Sequence, residues 1–564
     1  MPEAPCADSP KIDAPPAPRQ AALTLPTLAA AIATAASAAA CGGGGGDAAV
    51  PPPAPPGPTI TEAQASRFLA QASMGATREH ITRVQTLGFN AWLDEQLALP
   101  QQGTRWDWLV AAGYGVATNV NSQAGFDAAM WRKLVSSADT LRQRITLALS
   151  ELMVVGIDGL NGGGWRAFAA AGYADLLEAN AFGNYRSLMQ QVSTSPAMGI
   201  YLTFRGNVKA DAARGSSPDE NYARELMQLF TIGLTELNLD GSPKLTAGAP
   251  KDTYAQADIA GLARVFTGWD WNRTTSTTDN PQQFQREPMA QVATRHELGS
   301  KTFLGTTIAT GTEGVASLQQ ALDAIFAHPN LAPFVSRQLI QRLVTSNPSA
   351  AYVSRVASAF KQSNGDMKTL IKAVLLDAAA RSDAGPADSA FGKLREPMLR
   401  FVAWARAFNA TSPSGAWAIP NTADPGTRLG QSPGRSASVF NFFRPGYVPP
   451  NSAIGTQALV APEFQITNES SVVGYVNYLQ RAVSVGVGDV KADYTSVLPL
   501  VADSQALLNE LNIVLAAGQL SAATLATMRS ALDSINVSTD AGKNNRLYAA
   551  LTLVLAAPEF ITLK

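Results

Sequence analysis

From Thr61 onward, apolar residues recur at three- and four-residue spacing through most of the chain. That period predicts a mainly α protein, a large multi-helix body with one or two short β-hairpins and long ordered loops. Thr61 and Gln64 form a capping box ahead of ASRFLAQASM, Thr77 opens a second helix that Gly88 ends, and Asn90 caps AWLDEQLAL. In TLRQRITLALSELMVV, the spacing of Leu141, Ile145, Leu149 and Leu152 predicts a buried helix, with Arg142 and Arg144 solvated or paired. Gly183 and Pro196 punctuate the stretches that follow. Further helices are expected over 258–267, 315–327, 332–344, 352–361 and 367–380. A boundary at 382–390 separates an N-terminal helical region, 59–381, from a C-terminal one, 391–564, that opens with a helix over 396–408. The two regions are expected to pack as a single body. The rhythm breaks at LTELNLDGSPKLT, where Asp240-Gly241 predicts a hairpin turn, and again at the extended piece 301–308. Between Trp417 and Glu463 runs a long loop containing SVFNFFRPGYVPP, too aromatic to read as disordered.

The stretch SSPDENYARELMQLFTIGL carries the densest chemistry. Ser217 as N-cap, Pro218 at the first helical position and Glu220 three residues after the serine predict a helix over 218–231. At about 100° per residue, Glu220, Asn221, Arg224, Glu225 and Gln228 share one arc, while Tyr222, Ala223, Leu226, Met227, Leu229 and Phe230 fill the other. The polar arc reads either as a hydrogen-bonded structural network or as a ligand or catalytic site.

Composition narrows the chemistry. Lys plus Arg is 43 against 44 Asp plus Glu, a net charge of -1 with no basic block, so nucleic acid is not an expected partner. The two cysteines, Cys6 and Cys41, both lie near the N-terminus, which leaves the body without a disulfide framework or a thiolate metal site. His80, His296 and His328 are far apart, so zinc held by several histidines is not expected. No motif identifies a cofactor. Glu220, Glu225, Asp258 and Glu297 offer oxygen ligands for a divalent cation such as magnesium or calcium.

The N-terminus reads as an address. Ala21 to Ala40 is an uncharged apolar run preceded by Lys11 and Arg19 and followed at once by Cys41 and five glycines. Residues 1–41 are therefore expected to be a signal peptide ending at a lipobox-like cysteine, with Cys41 lipidated and 42–58 serving as a Gly/Pro-rich tether. An uncleaved membrane span is the competing reading. Ala38 stands where such cleavage boxes usually carry Leu. The expected location is an exported lipoprotein of the outer membrane or cell surface, alternatively the periplasm.

Several stretches together resemble a known family. PDENYARELMQLFTIGL, FLAQASMGAT, RQRITLALSELMVV, AFGNYRSLMQQVSTSPAMGIYL, ARVFTGW, HELGSKTFLG, KLREPMLR and the aromatic loop occur in the order found in the bacterial family named domain of unknown function 1800. The resemblance covers nearly all of the body. It implies a helical, exported protein that acts beside a second exported family, domain of unknown function 1501. Many members carry a His-Asp pair where this chain has His296-Glu297, and some carry aromatic and histidine residues where it has Leu149-Ser150-Glu151, so a mechanism needing those histidines does not transfer.

Two functions follow from the residues. In a hydrolase or lyase acting on an extracellular polymer, Glu220 or Glu225, with Asn221 beside them, supplies an acid or base. Arg224 then steadies negative charge, and His296 with Glu297 forms a second proton-transfer group. In a binding or assembly lipoprotein, the polar helix and the aromatic loop form a dock. Gln228, Lys301, Phe442 and Tyr447 then contact the ligand, and Trp269 and Trp271 stack on it.

Overall fold

The computed structural model describes residues 59–564. The signal-peptide, Cys41 and tether expectations lie outside that range. Among the described residues, no helix is long and apolar enough to cross a membrane.

The protein is mainly α. Its helices begin where side-chain oxygens can satisfy the amides left over at a helix start. Thr61 and Gln64 bond each other's backbone at 3.2 and 3.0 Å, and Thr77 caps Arg78–Leu87, which Gly88 ends at φ 83°. Helix Phe89–Ala98 starts two residues earlier than expected. Gly88 takes the cap position, and Asn90 lies inside the first turn bonded to Asp94. Thr140–Leu152 is buried nearly all round, so Arg144 is fully enclosed and Arg142 nearly so. Neither arginine is solvated.

Strands are short. Lys301–Phe303 pairs with Thr306–Ile308 as a hairpin, and Leu245–Thr246 pairs with Ala249–Pro250 just beyond the Asp240-Gly241 turn. The arms of that turn are joined by the single bridge between Leu237 and Pro243. Two further pairs join distant segments, Trp269–Asp270 with Ala290–Gln291 and Lys393–Leu394 with Thr562–Leu563.

Two apolar cores hold the body, which forms one compact unit from Pro58 to Lys564. One core gathers helices up to about residue 380, around Phe68, Trp92, Phe168 and Leu339. The other gathers the C-terminal helices around Phe401, Leu508 and Leu551. It also takes Met74, Trp131, Leu134 and Leu147 from the first region, so the two regions share a seam.

Candidate functional site

The polar helix is shorter and less regular than its sequence suggests. Asn207 holds Asp219 outside it through bonds at 3.0 and 3.3 Å, and the Asp219 carboxylate accepts the Asn221 amide at 2.8 Å. That local turn competes with helix and keeps Ser217-Pro218 out of it. The α-helix spans Asn221–Glu225, with Glu220 at the cap position and no side-chain capping bond. It then widens into a π-helix over Leu226–Thr231, where the Thr231 hydroxyl donates to the Leu226 carbonyl at 2.6 Å. Tyr222 anchors the apolar side. It stacks on Phe204 at 4.2 Å and bonds Ser193 through its hydroxyl at 2.7 Å.

The polar arc divides into two groups. Glu220 and Arg224 pair at 3.3 Å and both bond Gln256, at 2.7 and 3.3 Å, in a half-exposed network. Glu225 turns inward, and its Oε2 is buried without a hydrogen-bond partner. Desolvation raises its pKa and Arg224 opposes the shift. The nearby Tyr254 hydroxyl is likewise buried and unpartnered, and desolvation, reinforced by the Glu225 charge, pushes its pKa up to about 12.

His296 belongs to a different neighbourhood. Its ring is 1% exposed, with Nδ1 bonded to the Thr267 carbonyl at 2.9 Å and Nε2 to the Ser317 hydroxyl at 3.3 Å. Desolvation lowers its pKa, which keeps the ring neutral. Glu297 accepts the Gly299 amide at 2.8 Å and lies 3.5 Å from Arg264. Lys301 is fully buried, and desolvation lowers its pKa too. No hydrogen bond or ion pair among the described residues joins this neighbourhood to Glu220, Asn221, Arg224 or Glu225. Asp258 caps its own helix through Ala255 and holds the Leu304 amide at 2.7 Å. Among the described residues, no three His, Cys, Asp or Glu side chains are gathered as metal ligands. Trp269 is 3% exposed in the core, and Arg205 and Arg273 sit at 3.8 and 4.6 Å from the Trp271 ring.

The widened helix opens onto a groove. A cavity of about 640 Å³ lies between the π-helix, helix Leu331–Leu343 and the aromatic loop. Gln228 and Tyr447 reach it from opposite walls, whereas Phe442 is half-buried outside its lining. Phe334, Arg337, Gln338 and Gln341 form the floor, on one face of their helix at i, i+3, i+4 and i+7. The loop wall is rigidly held: Asn347 clamps both backbone groups of Val460 at 2.9 Å, and the Tyr447 carbonyl accepts the Ala461 amide at 2.8 Å.

The groove's charge is one-sided. Arg337 keeps more than a third of its surface in solvent, yet desolvation alone lowers its pKa, and no ion pair or hydrogen bond to it occurs among the described residues. The Arg444 guanidinium lies 4.7 Å from the Phe440 ring and has no acidic partner there either. Both arginines escaped the sequence reading, because each looks like an ordinary solvated arginine. The available signal was Arg444 itself, set among the four aromatics Phe440, Phe442, Phe443 and Tyr447.

Behind the floor lies a fully enclosed set of charges. Arg342 bonds Gln338 at 2.5 Å and the Glu151 carbonyl at 3.0 Å. Lys393 pairs with Glu463 at 2.8 Å, and Gln431 donates to Glu396 at 2.5 Å. Besides Arg342 and Gln338 from helix Leu331–Leu343, these residues come from RQRITLALSELMVV, KLREPMLR and the aromatic loop, so separate segments of the family resemblance meet in one place. No curated protein and no solved structure matches the chain. The family described as "Protein of unknown function (DUF1800)" matches over residues 67–562, nearly the whole described body, and the chain belongs to it.

Proposed function

We propose that the protein is an exported, lipid-anchored binding protein whose groove holds an acidic, partly apolar peptide segment of a co-exported partner. The observation that carries this reading is the pairing of two cations without acidic partners, Arg337 and Arg444, with apolar walls and glutamine amides in one groove. Guanidiniums recognise carboxylates, and a glutamine amide supplies the donor and acceptor that a peptide backbone needs. Leu229, Leu234 and Phe334 supply the apolar contact. Anchoring through Cys41 would hold the groove at a membrane surface, beside a partner of the domain of unknown function 1501 type.

The test is a displayed-peptide selection on the immobilised protein. Sequences with Asp or Glu between Leu, Phe or Tyr are expected to be enriched, and the enrichment should vanish for the Arg337→Ser, Arg444→Ser double variant. Enrichment that ignores those arginines would reject the groove. Labelled palmitate should enter the wild-type protein in cells and not Cys41→Ser.

A second reading, a hydrolase or lyase on an extracellular polymer, draws on Glu225 and Tyr254. A carboxyl whose pKa is raised by burial can take and return a proton, and the phenol beside it, its pKa pushed up to about 12, stays protonated and can only donate a hydrogen bond. Screening against polysaccharides, esters and peptides decides it, since Glu225→Gln should abolish any turnover found while the fold persists.

A further inference from the structure

Lys393, in the short strand Lys393–Leu394, and Arg395, just past it, line the same small cavity as Arg144 from helix Thr140–Leu152. The three side chains line a narrow cavity of about 20 Å³ that Ser73, Met74 and Gly75 flank. A water-sized guest needs roughly 10–15 Å³, so the space takes one small particle. The wall is built for close approach: Gly75 has φ +135°, and a Cβ there would stand 2.6 Å from the Ala403 Cα.

Three cations and no acidic side chain line this space. Arg144 is 0% exposed and spends one nitrogen on the Arg342 carbonyl at 2.7 Å, which leaves Nε and Nη1 without partners. Arg395 is 6% exposed and spends Nη1 on the Leu515 carbonyl at 3.1 Å, which leaves Nε and Nη2. Lys393 is already committed to Glu463 and to the Arg342 carbonyl at 2.9 Å. In the surrounding enclosed set, the carboxyls of Glu151, Glu396 and Glu463 act on Arg144 and Arg342, and Lys393 pairs with Glu463, but these carboxyls lie outside the cavity lining, and the charged neighbours of Arg395 are the cations Arg144 and Arg400. Burial and the neighbouring Glu396 also favour the neutral form of Glu151. A buried excess of positive charge with unused N–H donors is costly unless a counter-charge enters. Water would satisfy donors but not charge.

We infer that this cavity is a binding site for a monatomic anion, of the chloride class, held by the unpartnered N–H groups of Arg144 and Arg395 beside Lys393. The anion sits beside the Ser73–Gly75 turn after helix Glu62–Ala72, where the arginines must outweigh the negative end of that helix, between the N-terminal helices and the segment that opens the C-terminal region. It therefore ties the two regions together, independently of any ligand in the groove.

Crystals of the protein grown with bromide in place of chloride, measured at the bromine absorption edge, test the site. An anomalous peak within contact of Arg144 and Arg395 is expected. In solution, the melting temperature should rise with chloride or bromide relative to gluconate at equal ionic strength, following ligand linkage. Arg395→Gln should lose that halide dependence. Should that variant fail to fold, the wild-type diffraction measurement still decides. A cavity holding water with no anomalous signal, or a melting temperature indifferent to halide, overturns the inference.

Discussion

Two glutamates show how differently the chain treats the same side chain. Glu178 is fully buried, 2.6 Å from Arg105 and 2.7 Å from Lys133. Desolvation works against its charge, but Arg105 and Lys133 outweigh it and its pKa is lowered. Its contribution is therefore present above the ordinary glutamate value and is lost as pH falls through the lowered one. Glu178→Ala leaves the buried Lys133 without a carboxylate and Arg105 with Asp175 alone, and should cost about 3 kcal/mol in urea unfolding at neutral pH. Glu225 has the opposite sign. Its raised pKa means stability declines as pH climbs from its unfolded value through its folded one, so Glu225→Gln should keep the fold and flatten that decline. A pH series of urea midpoints checks both. The polar arc holding Glu225 was legible in the sequence, but its convergence with His296 was not a property of that arc. Helical period places residues on a face and says nothing about which distant segment meets it. The enclosed charges were hidden for a related reason: Arg144 and Glu151 lie off the leucine stripe, and only a helix buried on all sides puts them inside.

Among the elements, the helix starts were the most readable part. Caps at Thr61 and Thr77 are local bonds between residues three apart, so sequence alone specifies them. The π-helix at Leu226–Thr231 was not readable, because it follows from how Tyr222 and Phe230 are seated in the core rather than from spacing. π-Turns of this kind recur at functional sites, and this one swings Gln228 and Leu229 to the groove. Thr231→Val keeps the shape and removes the bond to the Leu226 carbonyl, so a loss of about 1 kcal/mol is expected in thermal or urea unfolding. Gly233 ends the element at φ +72°, and a Cβ there would stand 2.9 Å from the Phe334 ring. Gly233→Ala should cost about 1 kcal/mol or more and push Phe334 into the groove, weakening peptide capture by more than the stability loss explains.

At the scale of the whole molecule, the seam between the two helical regions sets how the protein unfolds. Trp131 meets Phe401 edge-on at 5.2 Å across it, and both rings belong to the C-terminal core. Arg406 crosses it too, donating to the carbonyls of Leu134, Val135 and Ser137 at 3.0, 2.9 and 2.8 Å. Those carbonyls end helix Phe126–Ser136, where a cation also meets the negative end of the helix dipole. Desolvation lowers the Arg406 pKa to about 10, opposed by Asp139, which still leaves the guanidinium charged at neutral pH. Because the C-terminal core borrows side chains from the first region, the C-terminal region cannot complete its packing alone. Arg406→Met should therefore lower the stability of the entire body by about 2–3 kcal/mol. Circular dichroism and tryptophan fluorescence should still report one coincident urea transition, shifted to a lower midpoint. If the variant instead shows two separated transitions, the regions are independent domains and the seam is a contact rather than a shared core.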